Sequence, residues 1–165
     1  MIDIIICKTT EEIQKTFLVM QQLRPKLTDE AAYIDLVLSL KETEGYQLVA
    51  LFEEETCVAV AGFRVNRCLF SEGKPEIYVN DFVTDQAQRG KGYGKQLFHW
   101  LKAHCKQLNC SAIVLDSGLQ RVEAHAFYEG KVGMQKTAFH FYRPSSPLSD
   151  LIDGEPDGRH TPTAS

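Results

Sequence analysis

Residues 88–95 read QRGKGYGK. The glycines Gly90, Gly92 and Gly94 stand between a β-rich run, EIYVNDFVT (76–84), and a run with Leu97, Leu101, Cys105 and Leu108 on one helical stripe. A strand that passes through a glycine-rich turn into an amphipathic helix leaves few ways to fold. Glycine takes left-handed backbone at little cost. The first N–H groups of the helix then point out of the turn, where they favour an anion. Arg89, Lys91, Lys95, Lys102 and Lys106 gather there, and residues 86–115 contain no Asp or Glu. The whole chain carries a formal charge of −4. The basic cluster is therefore one local face on an acidic protein, and no global field favours nucleic acid.

The elements around the turn can be read from periodicity. MIDIIIC is a strand pattern. Ile13, Phe17, Met20 and Leu23 give a helix over 10–23, which Arg24-Pro25 stops. LTDEAAYIDLVLSLKE offers Thr28 as N-cap of a second helix to about Lys41, and Gly45 ends it. YQLVALF and CVAVAGFRVNRCLF, joined by EEET, read as a hairpin. The helix after the glycines ends at Asn109, a residue that tolerates left-handed backbone. AIVLD is a short apolar strand, LQRVEAHAFYEG a short helix and KTAFHFYR (136–143) a last strand. The order predicts an α+β, mixed α/β fold.

With 165 residues, one domain over 1–143 is expected. Residues 144–165 hold four prolines and two glycines but no aromatic residue, so a mobile tail is expected. Cys7, Cys57, Cys68, Cys105 and Cys110 are odd in number and lack C-x-x-C spacing. That pattern excludes a disulfide framework and a zinc site and fits a reducing compartment. The apolar run at the N-terminus is too short for a signal peptide, and no run approaches the ~20 apolar residues of a membrane helix. A cytoplasmic protein with no membrane partner is expected.

Which anion the turn would hold can be tested by spacing. A P-loop, G-x-x-x-x-G-K-[ST], fails because only three residues separate Gly90 from Gly94 and Gln96 stands where Ser or Thr is needed. A dinucleotide fingerprint, G-x-G-x-x-G, fails because its third glycine would fall at Lys95 or Leu97. R-x-x-G-x-G fits, through Arg89, Gly92 and Gly94. After a strand and before an amphipathic helix, and followed by LDSGLQRVEAHAFYEGKVGM, it resembles the acetyl-CoA pyrophosphate loop and second motif of the GNAT superfamily of N-acetyltransferases. The resemblance covers residues 46–143.

The resemblance implies a central, mostly antiparallel twisted sheet of six to seven strands with about four helices. The sheet would splay at the strand before the loop, and the thioester would lie in that gap. Acetyl-CoA is implied as co-substrate, with no metal. Its contacts carry over onto Phe82, Val83 and Thr84 of the strand and onto Arg89, Gly90, Lys91, Gly92, Tyr93, Gly94 and Lys95 of the loop. Ser117, Arg121, His125 and Tyr128 follow from the second motif. Tyr128 stands where the family places the tyrosine that protonates the departing thiolate, and Val83 is the expected N–H donor to the oxyanion. Asp81 is the nearest carboxylate to the reaction centre, either as general base or as a structural hydrogen-bond acceptor, and Glu76 lies earlier on the strand. Ile77, Val79 and Val83 alternate on one face, which would also bury Asp81, so a bulge near Asn80-Asp81 is expected. This sequence departs from the family at Arg121, where an Asn is usual, and has one extra residue in FYEGKVGM.

No cysteine is placed as a nucleophile, so direct attack by an amine is the implied reaction. The acceptor is a primary amine of a small molecule or of a peptide or protein, and the chain would act as a monomer or homodimer. A non-catalytic acyl-CoA sensor is the alternative, with a nucleotide-binding regulatory domain third.

Overall fold

Uninterrupted apolar runs such as Leu48–Phe52 and Cys57–Ala61 need cover on both faces of a sheet. In the computed structural model, which describes residues 1–145, they find it. β1 (Ile2–Ile6), β2 (Gln47–Glu53), β3 (Thr56–Arg67) and β4 (Pro75–Thr84) pair antiparallel in that order. β5 (Ile113–Leu115) adds in parallel beside β4, with Ile77–Val79 opposite Ile113–Leu115. One face of this sheet is covered by α1 (Thr10–Gln14), α2 (Phe17–Leu23) and α3 (Glu30–Glu44), whose Ile13, Phe17, Met20, Tyr33 and Val37 cluster with Leu48, Ala50, Phe52, Val60 and Val83. The other is covered by α4 (Tyr93–Gln107). Phe98 of α4 meets Phe82 edge-on, and its Trp100 and His104 meet Phe63.

The α+β class and the element order agree with the sequence reading, but the counts need correction. Among the described residues the sheet has five strands, not six to seven. Residues 136–143 enter no ladder, and Phe139 and Phe141 lie exposed. The stretch is held instead by Lys136 to Glu129 at 3.1 Å and His140 to Asp116 at 3.3 Å. Among the described residues five α-helices stand in place of the expected four, because the single helix expected over 10–23 is broken at Thr16. The buried Thr16 hydroxyl donates to the Ile13 carbonyl at 2.6 Å and bonds Tyr33 Oη at 2.7 Å, a local alternative to the helical ladder. Asp29, not Thr28, caps α3, accepting from the Ala32 N–H at 2.7 Å, and the helix runs on to Glu44 before Gly45 turns left-handed. β5 is half-buried rather than fully covered.

Contacts divide the chain into two compact units, Met1–Leu115 and a second that begins at Asp116. In the second, α5 (Val122–Gly130) starts three residues later than expected. The proposed tail, apart from Pro144 and Ser145, lies outside the described residues. None of the described helices is long and apolar enough to cross a membrane.

Burial inside the first unit sets an alkaline limit on its stability. Desolvation pushes the Cys7 and Cys57 thiols up from 9.0 to about 12. It also lifts the Tyr33 and Tyr46 phenols well above their usual 10.0, with Asp81 adding to the rise at Tyr46. Every folded pKa here exceeds its unfolded value, so the full contribution is present below about pH 9 and is lost as pH rises from there toward the folded values. The melting temperature should be flat from pH 7 to 8.5 and fall progressively above pH 9. In a pH titration of the folded protein followed at 295 nm, Tyr33 and Tyr46 should ionise only as the chain unfolds.

Candidate active site

The site is built around one extra residue in β4. Its register with β3 runs Val65–Ile77, Arg64–Tyr78, Phe63–Val79, then Gly62–Asp81, so Asn80 has no partner. This is the expected bulge, and it reverses the strand's facing. Val79 lies opposite Phe63, on the α4 face, whereas Val83 clusters with the residues of α1–α3. Val83 therefore does not share a face with Ile77 and Val79, contrary to the simple alternation in the sequence. Phe82 takes the α4 face, against Phe98.

The backbone reverses with the side chains. Before the bulge, the Ile77 N–H donates outward to the Ala112 carbonyl at 3.0 Å; after it, the Asp85 N–H donates inward to Val58 of β3 at 2.9 Å. Opposite residues of an antiparallel pair alternate between bonded and non-bonded. With Val83 opposite Val60, the Val83 N–H is spent on β3, and the N–H groups of Phe82 and Thr84 face the other way. β5 ends at Leu115, opposite Val79, so no described strand covers that edge beyond the bulge. On this side of the bulge the N–H groups of Phe82 and Thr84 face away from β3, and that of Val83, the expected donor, faces it.

The chain turns from this gap into the glycine loop. Gly90 and Gly92 have φ of 83° and 87°, and a Cβ at either would meet no atom within 4 Å. The glycines thus serve the backbone conformation and leave open space in front of it. Gly92 caps α4 without a side chain, which leaves the first N–H groups of the helix facing that space. Gly94 is buried inside the first turn, while Arg89, Lys91 and Lys95 are exposed around it. Lys91 Nζ reaches Gln88 Oε1 at 2.6 Å, and Arg89 Nε reaches the Thr84 carbonyl at 3.4 Å. Tyr93 is anchored by its hydroxyl to Glu53 Oε1 at 2.6 Å. Open left-handed glycines, a helix N-terminus and mobile cations suit a pyrophosphate.

Each oxygen of Asp81 accepts a hydrogen bond. Its Oδ1 accepts from Arg24 Nε at 2.8 Å, and its Oδ2 accepts from the Tyr46 hydroxyl at 2.8 Å. Arg24 Nη2 also donates to the Asn80 carbonyl at 3.0 Å. The hydroxyl of Tyr46 occupies the space where a side chain at Gly62, directly across from Asp81, would begin. Arg64 lies over the Tyr46 ring, 5.9 Å from its centroid. Further along, Gln22 Nε2 donates to Asp85 Oδ1 at 3.0 Å and Gln22 Oε1 accepts from the Gln86 N–H at 2.9 Å. Glu76, the other carboxylate of the strand, is buried before the bulge and accepts from the Cys68 thiol at 3.4 Å.

Ser117, Arg121, His125 and Tyr128 belong to the second unit. Arg121 is the N-cap residue of α5, and His125 is held by its Nε2, 2.9 Å from the Gly118 carbonyl. The Ser117 hydroxyl is buried without a hydrogen-bond partner among the described residues. Tyr128 is the buried residue of α5, and desolvation raises its phenol above the usual 10.0, with Arg121 opposing. It therefore keeps its proton at neutral pH. Reading the sequence singled out each of these positions but missed Arg24 and Tyr46. Arg24 looked like a helix stop, and the signal for Tyr46 was Gly62 in the middle of an apolar strand, a mark of close approach.

Comparisons with known proteins agree with this geometry. The Acetyltransferase (GNAT) family profile matches residues 9–134. The chain is 31% identical over 134 residues to "Uncharacterized N-acetyltransferase YhdJ" of Bacillus subtilis, spanning 81% of this chain and 92% of that protein. It is 31% identical over 90 residues to glucosamine 6-phosphate N-acetyltransferase of Arabidopsis thaliana, across 53% of this chain and 58% of the other. The crystal structure of that Arabidopsis enzyme superposes with a TM-score of 0.72 at 19% identity, covering 88% of this chain and 99% of its own. An acetyltransferase of Trypanosoma brucei superposes with a TM-score of 0.73 at 16% identity, covering 87% and 99%.

Gly62→Ala tests the crossing of Tyr46 over β3. The new methyl must displace the phenol and its bond to Asp81, at a cost of about 1–3 kcal/mol. Thermal denaturation should show a loss of several degrees. Gly130→Ala, where a Cβ meets nothing and φ is not positive, should leave the melting temperature unchanged.

Proposed function

This chain belongs to the Acetyltransferase (GNAT) family and is an acetyl-transferring enzyme, and from that premise we propose that its acceptor is a primary amine, attacking directly in a ternary complex. The amine belongs to a small molecule or to a peptide or protein. An amino sugar phosphate, on which the Arabidopsis relative acts by its name, is one member of that class. The observation that carries the reading is the cationic glycine loop after the bulged strand, where left-handed Gly90 and Gly92 and the first N–H groups of α4 face open space.

Acetyl-CoA, the co-substrate that the family implies, supplies an activated thioester. The N–H groups of loop 90–95, with Arg89 and Lys91, hold its phosphates. The family's second motif carries further acetyl-CoA contacts onto Ser117, Arg121 and His125. Backbone N–H groups of the strand segment that ends at Thr84, as the family implies, take the carbonyl oxygen as it gains negative charge on attack by the amine nitrogen. Such fixed donors contribute most in the transition state. As the carbon–sulfur bond breaks, Tyr128 gives its proton to the sulfur and regains one from solvent. The amine's own proton leaves to water. Asp81 serves the bulge rather than the amine, because both its oxygens are already occupied.

A panel of amines, including glucosamine 6-phosphate, assayed for CoA release identifies the acceptor. Acetyl-CoA should raise the melting temperature, whereas ATP and NAD should not. Gly92→Asp should abolish that shift, since it puts a negative charge and a strained φ in the phosphate cradle. A shift with a nucleotide and none with acetyl-CoA would refute the reading.

Tyr128→Phe should lower kcat by ~10²-fold with little change in acetyl-CoA affinity. Because burial raises this phenol, the wild-type alkaline limb assigned to Tyr128 should lie above pH 10. Equal loss of stability and activity would instead mark Tyr128 as a packing residue.

A further inference from the structure

Arg64 is an unexpected neighbour for the apolar run of β3. The strand is buried from Cys57 to Phe63, and the next side chain is a cation. Its Nε is buried and has no hydrogen-bond partner among the described residues. Nor does Arg64 form an ion pair with any of them. A donor taken out of water without an acceptor is costly, so its position needs a reason. The Nη groups are not among the buried atoms and have no described partner either. The guanidinium is thus partly desolvated at one end and open at the other. Partial desolvation strengthens its attraction for an anion that meets the open end.

Residues of a strand alternate between its faces, so Arg64 shares the α1–α3 face with Gly62. On that face the Tyr46 hydroxyl passes over Gly62 to Asp81, and Arg64 lies over the Tyr46 ring. The other groups there are engaged. Arg24 pairs with Asp81 at 2.8 Å. Tyr46 stays protonated, because burial beside Asp81 raises its phenol. Glu76, opposite Asn66, accepts from the Cys68 thiol at 3.4 Å and makes no ion pair with Arg64. Arg64 is also fixed in place. Its strand lies between β2 and β4, and the ring beneath it is fastened through Asp81 to Arg24. A fixed planar fork presents two parallel donors, which match a carboxylate or a phosphate.

The register sets Arg64 opposite Tyr78, before the bulge, whereas the glycine loop follows Thr84. A co-substrate held by the loop meets the segment 78–84 from one end. An acceptor held at Arg64 meets it from the other. We propose that Arg64 determines acceptor specificity by binding an oxyanion, a carboxylate or a phosphate, carried by the acceptor apart from its reacting amine. This assignment rests on the acetyl-transfer reading above. It narrows the acceptor from primary amines in general to amines that bear an anionic group.

The test is steady-state CoA release by wild type, Arg64→Gln and Arg64→Glu with matched pairs of amines. The pairs are phosphoethanolamine against ethanolamine, glucosamine 6-phosphate against glucosamine, and β-alanine against its amide. Wild type should favour the anionic member of at least one pair by about tenfold or more in kcat/KM. The phosphate and carboxylate pairs show which oxyanion is taken. Arg64→Gln should cut that preference to about twofold or less by raising the KM for the amine, with KM for acetyl-CoA within about twofold of wild type. Arg64→Glu should reverse the preference. A packing role would instead slow both members of a pair alike and leave their ratio unchanged. Should both variants fail to fold, Arg64→Lys, which keeps the charge and loses the fork, should weaken the preference. A wild type that shows no preference for the anionic member of any pair, or variants that keep the wild-type ratio, would overturn this assignment alone. A wild type that binds acetyl-CoA yet releases no CoA with any amine overturns the acetyl-transfer reading, and this assignment with it.

Discussion

Asn80, one residue too many in β4, governs what the rest of the molecule can do. A strand paired on both sides without interruption has no backbone donors to offer. Here the bulge reverses the strand at the point where β5 stops, so the next two outward N–H groups lie beyond the last residue of β5. The reversal also explains the side chains. Ile77 and Val79 pack toward α4, and without the bulge Asp81 would have followed them into that core. With it, Asp81 turns to the α1–α3 face, where Arg24 and Tyr46 receive it. One inserted residue thus turns the strand and gives a charge its partners.

Much of this was legible in the sequence because it depends on local chemistry. The left-handed glycines at 90 and 92, the amphipathic period of α4 and the left-handed Asn109 all follow from backbone sterics over a few residues. The bulge showed itself as a conflict between strand alternation and a carboxylate. Its consequence for Val83 did not, because deciding which N–H faces outward requires the register with β3, and register is a property of two strands. Arg24 and Tyr46 were hidden for the same reason. They lie 57 and 35 residues from Asp81 in the chain, and no periodicity joins such positions. The break at Thr16 depended on a buried Tyr33 hydroxyl seventeen residues away. The strand expected over 136–143 rested on composition alone, and strand-forming residues make a strand only where an edge receives them.

The electrostatic arrangement separates binding from chemistry. Cations stand on the exposed loop, where Arg89, Lys91 and Lys95 can follow a phosphate at small entropic cost. In the proposed reaction, charge attracts the donor, and backbone dipoles act on the transition state. An acidic protein with one acid-free segment, 86–115, concentrates its attraction for anions where the loop can use it.

The clamp at the bulge has a strict order of dependence. Gly62 must lack a side chain for Tyr46 to pass, Tyr46 must pass to reach Asp81, and Asp81 must carry charge to hold Arg24. A half-buried carboxylate with a single donor would be costly; with a guanidinium on one oxygen and a phenol on the other it is satisfied. The strength of the set lies in its geometry rather than in net stabilisation, since apolar residues could fill the same volume at similar stability. What apolar residues could not do is grip the carbonyl of an unpaired residue.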